Sequence, residues 1–260
     1  MKKIFALVLA LLMVGSLLVA CSGSDEPKGE VTPLPEKETT APTEQETTPA
    51  ETEPEETEPE ETEPAATEGG DKEVSLGAMQ GGVYTNTYVG FTCTLDENWV
   101  FATAEQLQDL PGAVSDLFTD SSLADQLGTQ IFDMQAENAT DLLSMNVVYQ
   151  KLDLATRLAY ASMTEEEIID QVLAQQDMMI QAYEATGIIA TKLEKVTVTF
   201  CGKTRTAIMM TATIGEAPYE VPYFTLQLFD CQLGEYSVTT TFASLGENNT
   251  ESLLAMCSPA

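Results

Sequence analysis

The chain has 260 residues and is strongly acidic: 42 Asp and Glu against 11 Lys and Arg give a net charge of −31, and there is no histidine. The missing imidazole excludes Ser-His-Asp and Cys-His nucleophile systems and the usual zinc and non-haem iron ligand sets. The charge makes nucleic acid and anionic membrane surfaces poor partners, because phosphate binding needs clustered Lys and Arg.

Met1-Lys2-Lys3 is a short basic start, Ile4 to Val19 is an apolar run, and Leu18-Val19-Ala20-Cys21 ends it. This is the pattern of a secretory signal, too short and too small-residue-ended for a membrane span. The last four of these residues resemble a bacterial lipobox. In such lipoproteins the signal is cut just before a cysteine whose sulfur carries diacylglycerol. By that resemblance residues 1–20 are a signal peptide and Cys21 is the lipid attachment site. The protein is then expected on the extracellular face of the cytoplasmic membrane, where two acyl chains suffice for stable residence.

From Cys21 to residue 73 the sequence is almost entirely Glu, Thr, Pro, Ala, Ser and Gly, with no aromatic residue. A unit repeats as Thr52-Glu53-Pro54-Glu55-Glu56 and Thr57-Glu58-Pro59-Glu60-Glu61, then decays at Thr62-Glu63-Pro64. With 18 acids against Lys28, Lys37 and Lys72, the stretch from Ser22 carries a charge of about −15. Beyond Val31, Leu34 and a few alanines nothing apolar is available to bury, and regular prolines with like charges hold the chain open, so a disordered linker is expected. At about 3.1 Å per residue it reaches on the order of 150 Å, the length of a stalk. Thr-x-Pro tracts as sugar acceptors and acidic tracts as cation collectors are the other readings of this segment.

Residues 74–260 suffice for one domain with a proper core. Residues 82–95 alternate β-branched and aromatic side chains around Gly90, predicting two short strands. A helix is expected from about Thr103 and another from Ser115 to Leu127, with Pro111-Gly112 as the break. Strands are expected at Ile131–Glu137 and Leu143–Leu152, with Met145, Val147 and Tyr149 on one face. Thr164 and Glu167 make a capping box for a single helix running to about Ala185, with Ile168, Ile169, Val172, Met179 and Tyr183 in its apolar stripe and Gly187 as its stop. A meander follows: Val196–Phe200, a turn at Gly202-Lys203, Ile208–Ile214, Pro222–Cys231, and Glu235–Ser244 after Gly234. Asn248 or Asn249 would cap a closing helix through Met256. Sequential antiparallel strands with grouped helices predict an α+β fold, a meander-rich antiparallel sheet flanked by helices.

Tyr84, Asn86, Gly90 and Phe91, followed by Leu95 and Trp99, resemble a recurring opening in surface lipoproteins of Gram-positive anaerobes, and Gly234-Glu235-Tyr236 fits the same pattern. Those domains are similar to the Mog1/PsbP-like fold. The resemblance implies that architecture and a cell-surface setting, without a reaction.

The search for chemistry excludes more than it finds. No Gly-x-Ser-x-Gly elbow, phosphate-binding glycine loop or dinucleotide pattern is present, and no loop of alternating acids around a glycine suggests calcium. Asp116, Asp120 and Asp125 read as a solvated face. Asp133 and Glu137 share a strand face by parity and are expected on its wet side, as the weakest case for a carboxylate-pair hydrolase. Cys93, Cys201, Cys231 and Cys257 lack a compact staple spacing and read as free, partly buried thiols. Trp99 is the single tryptophan; it, Tyr219 and Tyr223 are the candidate ligand contacts, with Tyr84 and Tyr88 also at strand starts. Core packing is the competing reading for Trp99. The expectation is a non-catalytic domain, needing no metal or cofactor, that holds a small ligand or a protein partner. An envelope scaffold is the alternative.

Overall fold

The period-two alternation of apolar and polar residues carries most of the domain into strands. The computed structural model describes residues 74–115, 128–215 and 218–260. The expected signal, Cys21, the expected linker and the expected helix with Asp116, Asp120 and Asp125 lie outside the described residues.

Strands β1 (Ala78–Gln80), β2 (Val83–Asn86), β3 (Phe91–Thr94) and β4 (Val100–Phe101) come first, then helix α1 (Ala104–Ser115). Next are β5 (Ile131–Asn138), β6 (Leu143–Lys151), and helices α2 (Leu154–Ala161), α3 (Glu165–Leu173) and α4 (Gln176–Ala185). The chain closes with β7 (Ile188–Phe200), β8 (Lys203–Ile214), β9 (Val221–Asp230), β10 (Tyr236–Leu245), α5 (Thr250–Leu254) and β11 (Cys257–Pro259). Every strand pair is antiparallel. One sheet of seven runs in the order β4-β5-β6-β10-β9-β8-β7, and one of four in the order β1-β2-β3-β11. The α+β fold with an antiparallel meander is as expected.

Alternate residues of the large sheet feed two cores. Met145, Val147 and Tyr149 of β6 do share one face, together with Leu226, Leu228, Val238 and Phe242, and they meet the small sheet there. That core carries an aromatic run, with ring centroids 5.7 Å apart for Tyr84–Phe91, 5.4 Å for Phe91–Phe200 and 5.9 Å for Phe200–Phe242. Ile208, Met210, Ala212 and Tyr223 point the other way, onto Ile168, Ile169, Val172, Met179 and Tyr183 of α3 and α4.

Several local expectations are corrected. Pro111-Gly112 does not break α1, which continues to Ser115. A proline removes only one backbone bond, and buried Leu110 anchors the turn before it. The long helix is two, interrupted at Ala174-Gln175, where Gln175 adopts φ −102°, ψ 14°. Its capping box is formed: Glu167 N donates to Thr164 Oγ1 at 3.2 Å, and Thr164 N donates to Glu167 Oε2 at 2.7 Å. The short helix α2, capped by Asp153, was unforeseen because only Thr156 and Tyr160 of it are buried. The β7–β8 turn is Cys201-Gly202, one residue earlier than expected, with φ of 50° and 76°. Two consecutive positive φ values are the turn form that matches strand twist. The closing helix ends at Leu254 rather than Met256; Asn249 is its N-cap residue, and Asn248 supplies the side-chain bond, its Oδ1 accepting from Thr250 N at 3.2 Å.

The largest correction concerns Asp133. The β5–β6 register jumps between Phe132 and Met134, so Asp133 is the extra residue of a β-bulge. Bulges re-aim side chains by breaking strand parity. Asp133 therefore turns inward, between the sheets, rather than to water.

Candidate functional site

The inward Asp133 carboxylate is a hub. It accepts from Gly77 N with both oxygens at 2.9 Å, from Tyr84 OH at 2.5 Å and from Asn86 Nδ2 at 2.9 Å. Asn86 Nδ2 also donates to the oxygens of Tyr84 and Tyr149, at 2.8 and 2.7 Å. Burial raises the Asp133 pKa, while the Tyr84, Gly77 and Asn86 donors pull it back. The group borders an open groove of about 870 Å³ between β1, α1 and β5. Its hydrogen bonds are all directed to the fold, and they tie the residues before β1 to the large sheet.

A different arrangement lies on the helix side of the large sheet. Gln135 is the register partner of Asn146, Asn146 of Thr241, and Thr241 of Gln227. These four form a straight row across β5, β6, β10 and β9, and each is at most 2 % exposed. The next row holds Glu137 opposite Ser144 and Ala243 opposite Thr225. Tyr183 of α4 and Tyr223 of β9 bring two buried hydroxyls to the same side.

Almost none of these groups is satisfied. Gln135 Oε1, both amide atoms of Asn146, Thr241 Oγ1, Gln227 Nε2, Ser144 Oγ, Thr225 Oγ1 and the Tyr183 and Tyr223 hydroxyls have no hydrogen-bond partner. Gln227 lies beside the Tyr183 hydroxyl and opposes the rise that burial imposes on it. Gln135 Nε2 donates to Glu137 Oε1 at 3.3 Å. Burial pushes the half-buried Glu137 up to about 7, with Gln135 acting against it. No lysine or arginine stands among these residues. A polar atom buried without a partner costs roughly 1–3 kcal/mol. Such a surface is sustainable when something polar meets it.

The aromatic candidates do not converge. Trp99 is buried in the core between the sheets, and Tyr223 is buried on the opposite face of the large sheet. Tyr219 is 83 % exposed, just before β9. Tyr84 and Tyr88 are fully buried, Tyr88 donating to Leu233 O at 2.6 Å. Of the five, Tyr223 alone brings a polar atom to the orphaned row. The amides and hydroxyls of that row were missed because, between Met145 and Val147, an asparagine reads as the solvent side of a strand. Here the sheet is covered on both faces, so alternation separates two interiors.

Among the described residues, no three His, Cys, Asp or Glu side chains converge as metal ligands, and no helix is long and apolar enough to cross a membrane. No protein-family model matches the chain, and comparison with curated proteins finds no match.

Proposed function

We propose that this is a lipid-anchored surface protein, held through Cys21 after removal of residues 1–20 and lifted on the acidic stalk. Its domain, on this reading of Mog1/PsbP-like type, binds a small, neutral, polar molecule without transforming it. The observation that carries the proposal is the row Gln135–Asn146–Thr241–Gln227, whose buried donors and acceptors lack partners. Three amides and a hydroxyl in one row suit a ligand with hydroxyl or amide groups, a sugar or a short uncharged peptide. A charged ligand would find no basic residue there, and Glu137 would repel an anion. A carboxylate-pair glycosidase needs two carboxyls converging on one bond. The bulge sends Asp133 to one side of β5 and leaves Glu137 on the other, which supports a binding role.

The reading is tested by thermal unfolding of the full chain with panels of neutral saccharides and uncharged peptides, beside an Asn146→Leu variant. A ligand present at a hundred times its Kd raises the midpoint by about 5 °C or more. The expected result is such a shift in the parent and its loss in a variant that still unfolds cooperatively. An equal shift in the variant, or none in the parent with a ligand-free mass by native mass spectrometry, overturns the proposal.

A further inference from the structure

The closing strand β11 pairs with β3, placing Cys257 directly opposite Cys93. The hydrogen bonds fix the type of pair. Thr94 N donates to Met256 O and Ala260 N to Gly90 O, both at 3.2 Å. In an antiparallel ladder, bonded and non-bonded pairs alternate. Thr94/Met256 and Gly90/Ala260 are bonded pairs, so Cys93/Cys257 and Phe91/Pro259 are non-bonded ones. Pro259, which has no N–H, sits where none is needed. Non-bonded partners have their Cα atoms about 4.5 Å apart and their side chains closest, at the lower end of the range a disulfide spans.

The sulfurs are disposed accordingly. Cys93 is buried and donates to Met145 Sδ at 3.9 Å. Cys257 is half-buried and lines a groove of about 560 Å³ formed by the β7–β8 turn, α5 and β11. Interaction with the Cys93 thiol and then burial hold the Cys257 pKa well above that of an ordinary thiol. Cys201 lines the same groove, and Cys231 is buried in the other core.

We infer that Cys93 and Cys257 are a disulfide-forming pair, oxidised by a low-molecular-weight disulfide that enters along this groove. The groove-facing Cys257 thiolate attacks the small disulfide RSSR, forming Cys257–S–S–R and releasing RS⁻, which takes up the proton Cys257 lost. The Cys93 thiolate then attacks Cys257 Sγ, closing the protein disulfide and expelling a second RS⁻, which is protonated by the proton from Cys93. The dithiol is oxidised by two electrons, and RSSR is reduced to two RSH. Groove access makes Cys257 the entry point, its raised pKa confining the first attack to a small thiolate fraction that grows with pH, and Cys93, buried directly opposite, is the closing thiol. The pair spans about 160 residues, so closing it removes much chain freedom from the unfolded state.

The test is to expose the reduced full chain to oxidised glutathione at mildly alkaline pH, alkylate it, and map its peptides by mass spectrometry. The expected product is a Cys93–Cys257 cross-link with Cys201 and Cys231 alkylated, and a melting temperature raised by about 10 °C that dithiothreitol reverses. A Cys201→Ser chain should form the same link, which keeps the test independent of variants in the buried pair. Alkylation of both Cys93 and Cys257 after oxidation, or a link from Cys201 to either, overturns the inference.

Discussion

Replacing Asp133 by alanine tests the bulge directly. The change removes the acceptor for Gly77 N and the Tyr84 hydroxyl proton. Asn86 Nδ2 keeps the oxygens of Tyr84 and Tyr149. Two buried donors are thus orphaned, at about 1.5 kcal/mol each, for a loss of about 3 kcal/mol. In a domain of this size that lowers the melting temperature by about 9 °C. The pH dependence is more discriminating. Because burial raises the folded pKa above 3.8, the folded chain keeps this proton to higher pH than the unfolded chain. The native carboxyl therefore contributes its full stability at low pH, and that contribution falls as pH rises from 3.8 through the folded value. Alanine does not titrate, so urea midpoints should show a larger loss at about pH 4 than at about pH 7. A larger loss at neutral pH would refute the reasoning, because the donors around the carboxylate would then outweigh its desolvation.

Arg205 donates to Glu165 Oε1 and to Asp230 Oδ1, the latter at 3.0 Å, and Arg205→Met should cost about 3–5 kcal/mol in urea unfolding by leaving Asp230 buried without its cation. The double change Arg205→Met with Asp230→Leu should recover most of that loss, and no recovery would mean that the pair's charges are not what binds these strands. Glu137→Gln should have its smallest advantage over the parent below pH 4.5 and gain progressively up to about pH 7, because the parent's raised pKa loses stability across that window; a flat difference in urea midpoints would contradict it. A Cβ on Gly77 would lie 2.4 Å from Tyr84 Cε2, and the ring is held by its own hydroxyl, so Gly77→Ala should lower the melting temperature by about 6 °C; an unchanged value would show that the ring can yield.

The parts of the fold legible in the sequence were those where one physical rule acts alone. The alternation of Val196, Val198 and Phe200, then of Ile208, Met210 and Ala212, gave the β7–β8 hairpin. Thr164 and Glu167 gave the start of α3 because a capping box needs only four residues. What failed were the places where tertiary context overrides a local rule. One inserted residue at Asp133 reverses strand parity, and no local composition announces a bulge. Strand β11 has three residues, too few for a periodic signal, and exists because β3 offers an edge. The candidate site failed for a related reason. Asn146, Thr241 and Gln227 are polar residues at alternate positions, and only the two-sided cover of the sheet turns them from surface into interior.

The small sheet joins the two ends of the domain. Its outer strand β1 begins at Ala78, and its other edge is β11, ending at Pro259. The domain cannot seal its inter-sheet core until β11 has been made. At a synthesis rate of about 5–20 residues per second, β3 waits roughly ten to thirty seconds for its partner. During that interval Phe91 and its aromatic neighbours have lost one of their walls. Residues 257–260 thus act as a latch, and a chain without them leaves an open edge on β3 beside exposed rings, a species prone to self-association.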